Sequence, residues 1–144
     1  MRALLVIALL ALLSACSTGP VKRISPPTAS VQELNMAADG QWQLSLRLQN
    51  FSNVPMTFDR LDAVLTINGE EAGRIESVLN LDIPGGNADI FQANLTPSQT
   101  LPALSGQLAY ELKGHIRSSD PKKNYPFERS SHLMPAPGLD KTWR

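Results

Sequence analysis

Residues 41–49 read QWQLSLRLQ, the most regular stretch of the chain. Apolar side chains occupy every second position of this stretch, at Trp42, Leu44, Leu46 and Leu48. Successive side chains of a β-strand point to opposite faces, so this alternation predicts a strand with one buried face. Trp42 is in phase with the three leucines, which favours a place in the core over the alternative, an aromatic side chain used for binding.

The same two-residue period recurs in both directions along the chain. It begins at Leu34 and Met36, and the turn-forming pair Asp39-Gly40 separates that run from residues 41–49. Further strands are expected over residues 58–67, 71–76, 78–83, 88–95, 106–112 and 124–133. The apolar positions expected to face inward in these strands are Leu61, Ala63, Leu65, Ile67, Leu79, Leu81, Ile83, Phe91, Ala93, Leu95, Leu108, Tyr110, Leu112, Ile116, Tyr125 and Phe127.

Turn residues separate the periodic runs. Asn68-Gly69 is a hairpin signal, and residues 84–87 read PGGN, which predicts a tight turn. Loops are expected over residues 96–105, as a crossover, and over residues 118–121. Seven or eight short strands at a spacing of roughly ten residues, with no helical period between them, predict an all-β fold, an antiparallel β-sandwich.

The N-terminal residues have the pattern of a bacterial lipoprotein signal. An unbroken apolar run over residues 3–13 would span roughly 16 Å as a helix, about half of a hydrocarbon core. Residues 13–16 read LSAC, which resembles the lipobox of an apolar residue, two small residues and a cysteine. We therefore expect residues 1–15 to be a cleaved signal peptide and Cys16 to be lipidated. The alternatives are an ordinary secretory signal with a chance cysteine and a buried N-terminal helix.

A lipid on Cys16 would make the membrane the first partner of the chain. A mature bacterial lipoprotein carries several acyl chains, which hold a protein durably, whereas a single acyl chain holds it weakly. Ser17 follows the cysteine. In enterobacteria-like sorting, aspartate at this place retains a lipoprotein in the inner membrane, and serine permits its release to the outer one. We therefore expect an outer-membrane protein that faces the periplasm.

The mature chain divides into three parts. Residues 17–30 read STGPVKRISPPTAS, a composition typical of linkers, so residues 16–30 are predicted to form a lipidated, flexible tether. Residues 31–133 contain the periodic runs and are predicted to form the single domain. Residues 134–144 contain proline and glycine and are predicted to be a C-terminal tail.

The composition argues against two classes of protein. Thirteen Lys and Arg residues balance thirteen Asp and Glu residues, and no basic patch stands out. Nucleic-acid binding is therefore not expected, because it depends on clustered positive charge. Cys16 is the only cysteine, so no internal disulfide is expected and the stability of the domain must come from a hydrophobic core.

The side chains that could carry out catalysis form no recognisable motif. His115 and His132 are the only histidines, and they are far apart in the sequence. A zinc site would need carboxylate ligands beside them, and a solvated histidine near a strand end is the favoured interpretation of His115. No nucleophile elbow, phosphate-binding loop or zinc-protease motif is present. We therefore expect no enzymatic activity, no cofactor, no metal ion and no small-molecule substrate.

Charged side chains cluster in two places. Five carboxylates could suggest calcium, but no calcium-loop pattern accompanies them, so a solvated outer face is the favoured interpretation. These carboxylates are Asp59, Asp62, Glu70, Glu71 and Glu76. Lys122 and Lys123 could touch acidic head groups, although a solvated turn is the favoured interpretation there.

Residues 44–77, LSLRLQNFSNVPMTFDRLDAVLTINGEEAGRIES, and residues 79–95, LNLDIPGGNADIFQANL, carry a family resemblance. An alternating strand, an asparagine-rich break and a strand that ends in Asn-Gly resemble the WHy (water stress and hypersensitive response) domain of the type 2 late embryogenesis abundant, or LEA14-like, proteins. The resemblance covers residues 31–116. Typical members have Asn-Pro-Asn after the first strand, whereas residues 50–53 of this chain read NFSN.

The resemblance implies a fold and a class of function. The fold would be a sandwich of the fibronectin type III or immunoglobulin kind, with about seven strands. The family is associated with desiccation and other stress tolerance, and the activity proposed for it is the shielding of proteins or membranes without an enzymatic step. A shared fold does not by itself establish a shared function.

Two hypotheses of different classes follow. The first is a non-enzymatic, lipid-anchored module of the bacterial envelope that protects or binds protein clients through its surface or its exposed strand edges. The second is a structural accessory subunit of an envelope transport or secretion assembly. An enzyme is a distant third.

Overall fold

The computed structural model describes residues 19–99 and 101–144. These residues form eight β-strands and no helix. The strands are β1 (Thr28–Met36), β2 (Trp42–Gln49), β3 (Met56–Ile67), β4 (Glu70–Ile83), β5 (Ala88–Leu95), β6 (Leu108–Asp120), β7 (Lys122–Leu133) and β8 (Thr142–Trp143). The signal peptide expected at residues 1–15 and the lipidation expected at Cys16 lie outside the described residues.

The strands form two antiparallel sheets that pack as a sandwich. The first sheet has the order β5-β2-β1-β8, and the second has the order β4-β3-β6-β7. If β1 to β7 are lettered A to G in chain order, the order β5-β2-β1 becomes E-B-A and the order β3-β6-β7 becomes C-F-G. Immunoglobulin-type sandwiches have these strand orders. The fourth strand pairs with β3 instead of β5. The predicted antiparallel β-sandwich is therefore confirmed.

The core lies between the inward faces of the two sheets. From β2 of the first sheet, Leu44, Leu46 and Leu48 are fully buried, and Trp42 is also buried. Leu61 and Leu65 of β3 are fully buried from the second sheet. Each such leucine stabilises the fold by roughly 1.5–3 kcal/mol relative to an exposed one. The predicted phase of these strands and the core position of Trp42 are confirmed.

Strand β4 differs from the prediction. Two short strands were expected over residues 71–76 and 78–83, but residues 70–83 form one strand of fourteen residues. The β3–β4 ladder contains two register irregularities, one between Phe58 and Arg60 and one between Leu65 and Thr66. Such irregularities interrupt the two-residue period, so one strand has the sequence pattern of two.

The predicted C-terminal tail belongs to the domain. Strand β8 pairs with Leu34 and Asn35 of β1, and Trp143 is buried in the core. The indole Nε1 of Trp143 donates a 2.9 Å hydrogen bond to the carbonyl oxygen of Gly106, and Asn35 Nδ2 donates a 2.8 Å bond to Thr142 Oγ1. A single buried tryptophan among prolines and glycines produces no period, so the sequence pattern indicated a tail.

Candidate functional site

Seven strand ends meet at one end of the sandwich. Strands β1, β3, β5 and β7 begin there, and β2, β4 and β6 end there. We call this end the N-terminal pole. Its four segments are residues 21–27, the loop of residues 50–55, the loop of residues 84–87 and the β6–β7 turn at residues 120–121.

Asn50 connects two loops of the N-terminal pole. Its side chain is fully buried, and its Nδ2 donates 2.9 Å hydrogen bonds to the carbonyl oxygens of Val54 and Ile83. Its Oδ1 accepts a 2.9 Å bond from the backbone N–H of Ser52. The donor and the acceptor of this buried amide both have hydrogen-bond partners. The amide therefore holds those backbone groups in place, because moving them would leave buried polar groups without partners.

The backbones of the same two loops lie in close contact. The N–H of Gly86 donates a 2.9 Å hydrogen bond to the carbonyl oxygen of Ser52, and the N–H of Asn50 donates one of 2.9 Å to Asn87. A Cβ atom on Gly85 would stand 2.6 Å from the carbonyl carbon of Asn53. Glycine is therefore required at this position for the loops to approach each other.

The segment before β1 is held against the loop of residues 50–55. The side chain of Asn53 accepts a 2.7 Å hydrogen bond from the N–H of Arg23 and donates a 2.8 Å bond to the carbonyl oxygen of Val21. The N–H of Asn53 donates to Arg23 at 3.1 Å, and Ser52 Oγ accepts from the N–H of Ser25 at 2.8 Å. We call residues 21–27 the strap.

The strap corrects the predicted extent of the tether. Residues 16–30 were expected to be a flexible linker, but residues 21–25 are hydrogen-bonded to the domain and β1 begins at Thr28. The partners of the strap lie about thirty residues further along the chain, and no sequence period marks such contacts. The sequence marked residues 50–53 only as an asparagine-rich break between strands, and their role in holding the strap was missed.

The N-terminal pole exposes both apolar and basic side chains. Val21 is 81% exposed, Ile24 is 44% exposed and Phe51 is 51% exposed. These are three of the seven large apolar side chains that are exposed within the described part of the chain. Lys22 and Arg23 lie on the strap between Val21 and Ile24 and are also exposed.

The two histidines are not brought together. His115 lies opposite Pro126 in the β6–β7 ladder, and His132 lies opposite Ala109, six residues further along the same ladder. At the rise of a β-strand this separation is about 20 Å. Among residues 19–99 and 101–144, no group of three or more His, Cys, Asp or Glu side chains could hold a metal ion.

Three of the five singled-out carboxylates pair with arginines on the outer face of the second sheet. Asp62 Oδ2 accepts a 2.6 Å bond from Arg60 Nε, and this bond lowers the pKa of the Asp62 carboxyl. The carboxylate of Glu76 lies 3.4 Å from Nη2 of Arg60 and 3.1 Å from Nε of Arg74. Oδ1 of Asp59 lies 3.0 Å from Nε of Arg117. The other two carboxylates, Glu70 and Glu71, are exposed at the β3–β4 hairpin.

Besides the two-residue β8, three strands lie at the sheet edges within the described residues. Strand β5 pairs only with β2, β4 only with β3, and β7 only with β6. Charged side chains lie along these edges, among them Arg74 and Glu76 on β4 and Glu128 on β7, and such charges oppose edge-to-edge aggregation. Unpaired backbone groups of this kind can still receive an extended peptide as an added strand.

No described helix is long and apolar enough to cross a membrane. A shallow groove of about 520 Å³ crosses the outer face of the second sheet, where β6 begins and β7 ends, at the end opposite the N-terminal pole. Its lining residues are Thr66, Gly69, Ala109, Tyr110, Glu111, Ser130, Ser131 and His132. His132 and Glu111 are the histidine and the carboxylate among these lining residues.

Comparison with known proteins identifies similar folds. No family model and no curated protein matches the chain. The solution structure of AT1g01470 from Arabidopsis thaliana, an LEA14-like protein, matches with a TM-score of 0.56 and 10% identity, over 89% of this chain and 93% of that one. A protein from Archaeoglobus fulgidus matches with a TM-score of 0.43 and 12% identity, over 79% and 98%. A protein from Bordetella pertussis matches with a TM-score of 0.45 and 13% identity, over 83% and 100%. The chain is thus a small all-β domain similar in fold to an LEA14-like protein.

Proposed function

We propose that this chain is a non-enzymatic, lipid-anchored protein of the bacterial envelope whose LEA type 2-like domain binds and protects other proteins under stress such as desiccation. The observation that carries the protective role is the similarity in fold to AT1g01470, which accompanies the sequence resemblance of residues 31–116 to the WHy domain. The lipobox-like residues 13–16 support the anchor, and Ser17 supports an outer-membrane position that faces the periplasm.

The surface of the domain supports a mechanism based on many weak contacts. The edges of β4, β5 and β7 pair with no further strand, and the outer face of the second sheet presents ion pairs such as Arg60–Asp62. Exposed ion pairs of this kind contribute little individually. A client protein would therefore be shielded by the surface as a whole, and no single side chain would be indispensable.

An aggregation assay tests the protective role. Residues 17–144 would be mixed with a labile enzyme, which is then dried or frozen and recovered. Protection should rise smoothly with the ratio of domain to enzyme and should persist in the presence of a chelator. The variants His115→Ala, His132→Ala and Asp62→Asn should retain it. An inert protein of similar size and near-zero net charge is the control, and protection no better than that control would refute this role.

A pull-down from membranes separates protection from the alternative, an accessory subunit of a transport or secretion assembly. Many weakly bound proteins, recovered in amounts that depend on stress, are expected for a protective module. One partner in fixed stoichiometry, whose binding is lost when a single surface patch is changed, would favour the accessory subunit. The same strand edges could serve that role by pairing with a strand of the partner.

A further inference from the structure

The strap limits how far the domain can stand from its lipid. Val21 is the first residue of the strap that is hydrogen-bonded to the domain, and it lies five residues after Cys16. An extended chain spans at most about 3.6 Å per residue, so Val21 lies within about 18 Å of a lipid-bearing Cys16. A tether that ran to residue 30 would allow almost three times this reach. Under the proposed lipid anchor, the N-terminal pole would therefore be the end of the domain that faces the bilayer.

The chemistry of the N-terminal pole is suited to that position. Val21, Ile24 and Phe51 expose apolar surface on two neighbouring segments, since hydrogen bonds join the strap to the loop that holds Phe51. Lys22 and Arg23 lie among them, and the sequence contains no acidic residue between positions 17 and 32. Apolar side chains flanked by basic ones are the pattern of segments that lie in the interface of an anionic membrane.

The β6–β7 turn adds charge at the same pole. Lys122 and Lys123 follow this turn, and Ser118 and Ser119 of β6 lie opposite them in the ladder. The ammonium of Lys123 lies 5.1 Å from the ring centroid of Tyr125, which orients this side chain along β7. Asp120 is the acidic residue of the turn, so the two lysines leave the turn with a net positive charge.

We propose that the N-terminal pole is a membrane seat, in which Val21, Ile24 and Phe51 enter the interfacial layer of an anionic bilayer while Lys22 and Arg23 face its head groups. The lipidated domain then stands with its strands directed away from the membrane and its opposite end free for clients. This inference rests on the lipid anchor of the proposed function. The binding partner of the membrane seat is the surface of the bilayer.

The native tryptophans lie away from this seat, so a tryptophan introduced there can report on its contact with the membrane. Trp42 lies opposite Met36 and Leu95, and Trp143 is bonded to Gly106, so both are buried toward the other end of the domain. Phe51→Trp would place a reporter in the seat. Leu139→Trp would place a matched reporter at the opposite end, because Leu139 is 48% exposed and Phe51 is 51% exposed.

The test uses the full lipidated chain, purified from membranes and reconstituted into vesicles of phosphatidylethanolamine and phosphatidylglycerol with brominated acyl chains. Quenching of the Phe51→Trp variant should exceed that of the Leu139→Trp variant by at least about twofold, because interfacial side chains lie roughly 5–10 Å into the head-group and acyl boundary. Adding Lys22→Glu and Arg23→Glu to Phe51→Trp should reduce its quenching without releasing the chain from the vesicles.

Flotation of the same vesicles separates the seat from the anchor. Chains that float with the vesicles while both reporters are quenched equally would overturn the seat and leave the anchor intact. Chains that fail to float would show that the lipid is absent, which overturns the anchor and the seat together. Quenching confined to the Phe51→Trp variant in floating vesicles would establish both.

Discussion

Asn50 shows how one buried polar residue organises the N-terminal pole. Its side-chain Nδ2 donates hydrogen bonds to the carbonyl oxygens of Val54 and Ile83, and its Oδ1 accepts one from the N–H of Ser52. The hydroxyl of Ser52 in turn accepts a hydrogen bond from the N–H of Ser25 in the strap. Buried groups of this kind stabilise a fold mainly because losing their partners is costly. Asn50 is therefore linked to the strap through Ser52.

Exchanging amide for carboxylate at two asparagines tests the role of Asn50. Asn50→Asp should lower the free energy of unfolding by at least about 2 kcal/mol, because a carboxylate oxygen would face two carbonyl oxygens in a buried site. Asn53→Asp is the matched control. Asn53 is exposed and would keep its acceptor for Arg23, so a loss below about 1 kcal/mol is expected. Urea unfolding measures both, and equal losses would contradict the role of Asn50.

The phase of β2 is tested by two neighbouring residues. Leu46 is fully buried between Val31 and Phe91 of the adjacent strands, whereas Arg47 is exposed on the opposite face. Leu46→Asp places an unpaired carboxylate in the core and should cost more than about 4 kcal/mol, enough to prevent folding. Arg47→Asp should change stability by no more than about 0.5 kcal/mol. Thermal melts that show similar losses of stability for the two variants would mean that the buried and exposed faces of β2 are wrongly assigned.

Among the elements, the periodic strands were predictable and the anchored segments were not. Strands β2, β3 and β5 follow a local two-residue period, which appears in the sequence because burial on one face selects apolar side chains. The strap and β8 depend on a few side chains, such as Asn53 and Trp143, whose partners are remote in the sequence. The candidate site was therefore predicted only in part: its loops were expected, but the contacts that join them were not.

The role of β8 is tested by two substitutions in the same C-terminal segment. Trp143→Ala removes a buried ring and the hydrogen bond to Gly106, and a loss of roughly 3–5 kcal/mol in the free energy of unfolding is expected. Leu139→Ala, at an exposed position nearby, should cost less than about 0.5 kcal/mol. Chemical unfolding compares the two variants. A negligible effect of Trp143→Ala would mean that the segment is the tail that the sequence pattern indicated.

At the scale of the whole molecule, the two ends of the sandwich have different characters. The N-terminal pole combines exposed apolar and basic side chains and is the end joined to the expected lipid. The opposite end is built from the hairpin at residues 68–69 and the segment of residues 134–144, and it lies about 26 Å away along β2. Under the proposed function this polarity would orient the strand edges toward the periplasm, where extended peptides can reach them.

The location and the orientation proposed for the whole molecule depend on the lipid at Cys16. The direct measurement is the mass of the intact chain extracted from membranes of cells fed with labelled fatty acid. The expected chain begins at Cys16, carries the label and has the added mass of diacylglycerol and an acyl group. The Cys16→Ala chain should keep residues 1–15 and take up no label. An unlabelled wild-type chain, or a Cys16→Ala chain that still takes up label, would contradict the anchor.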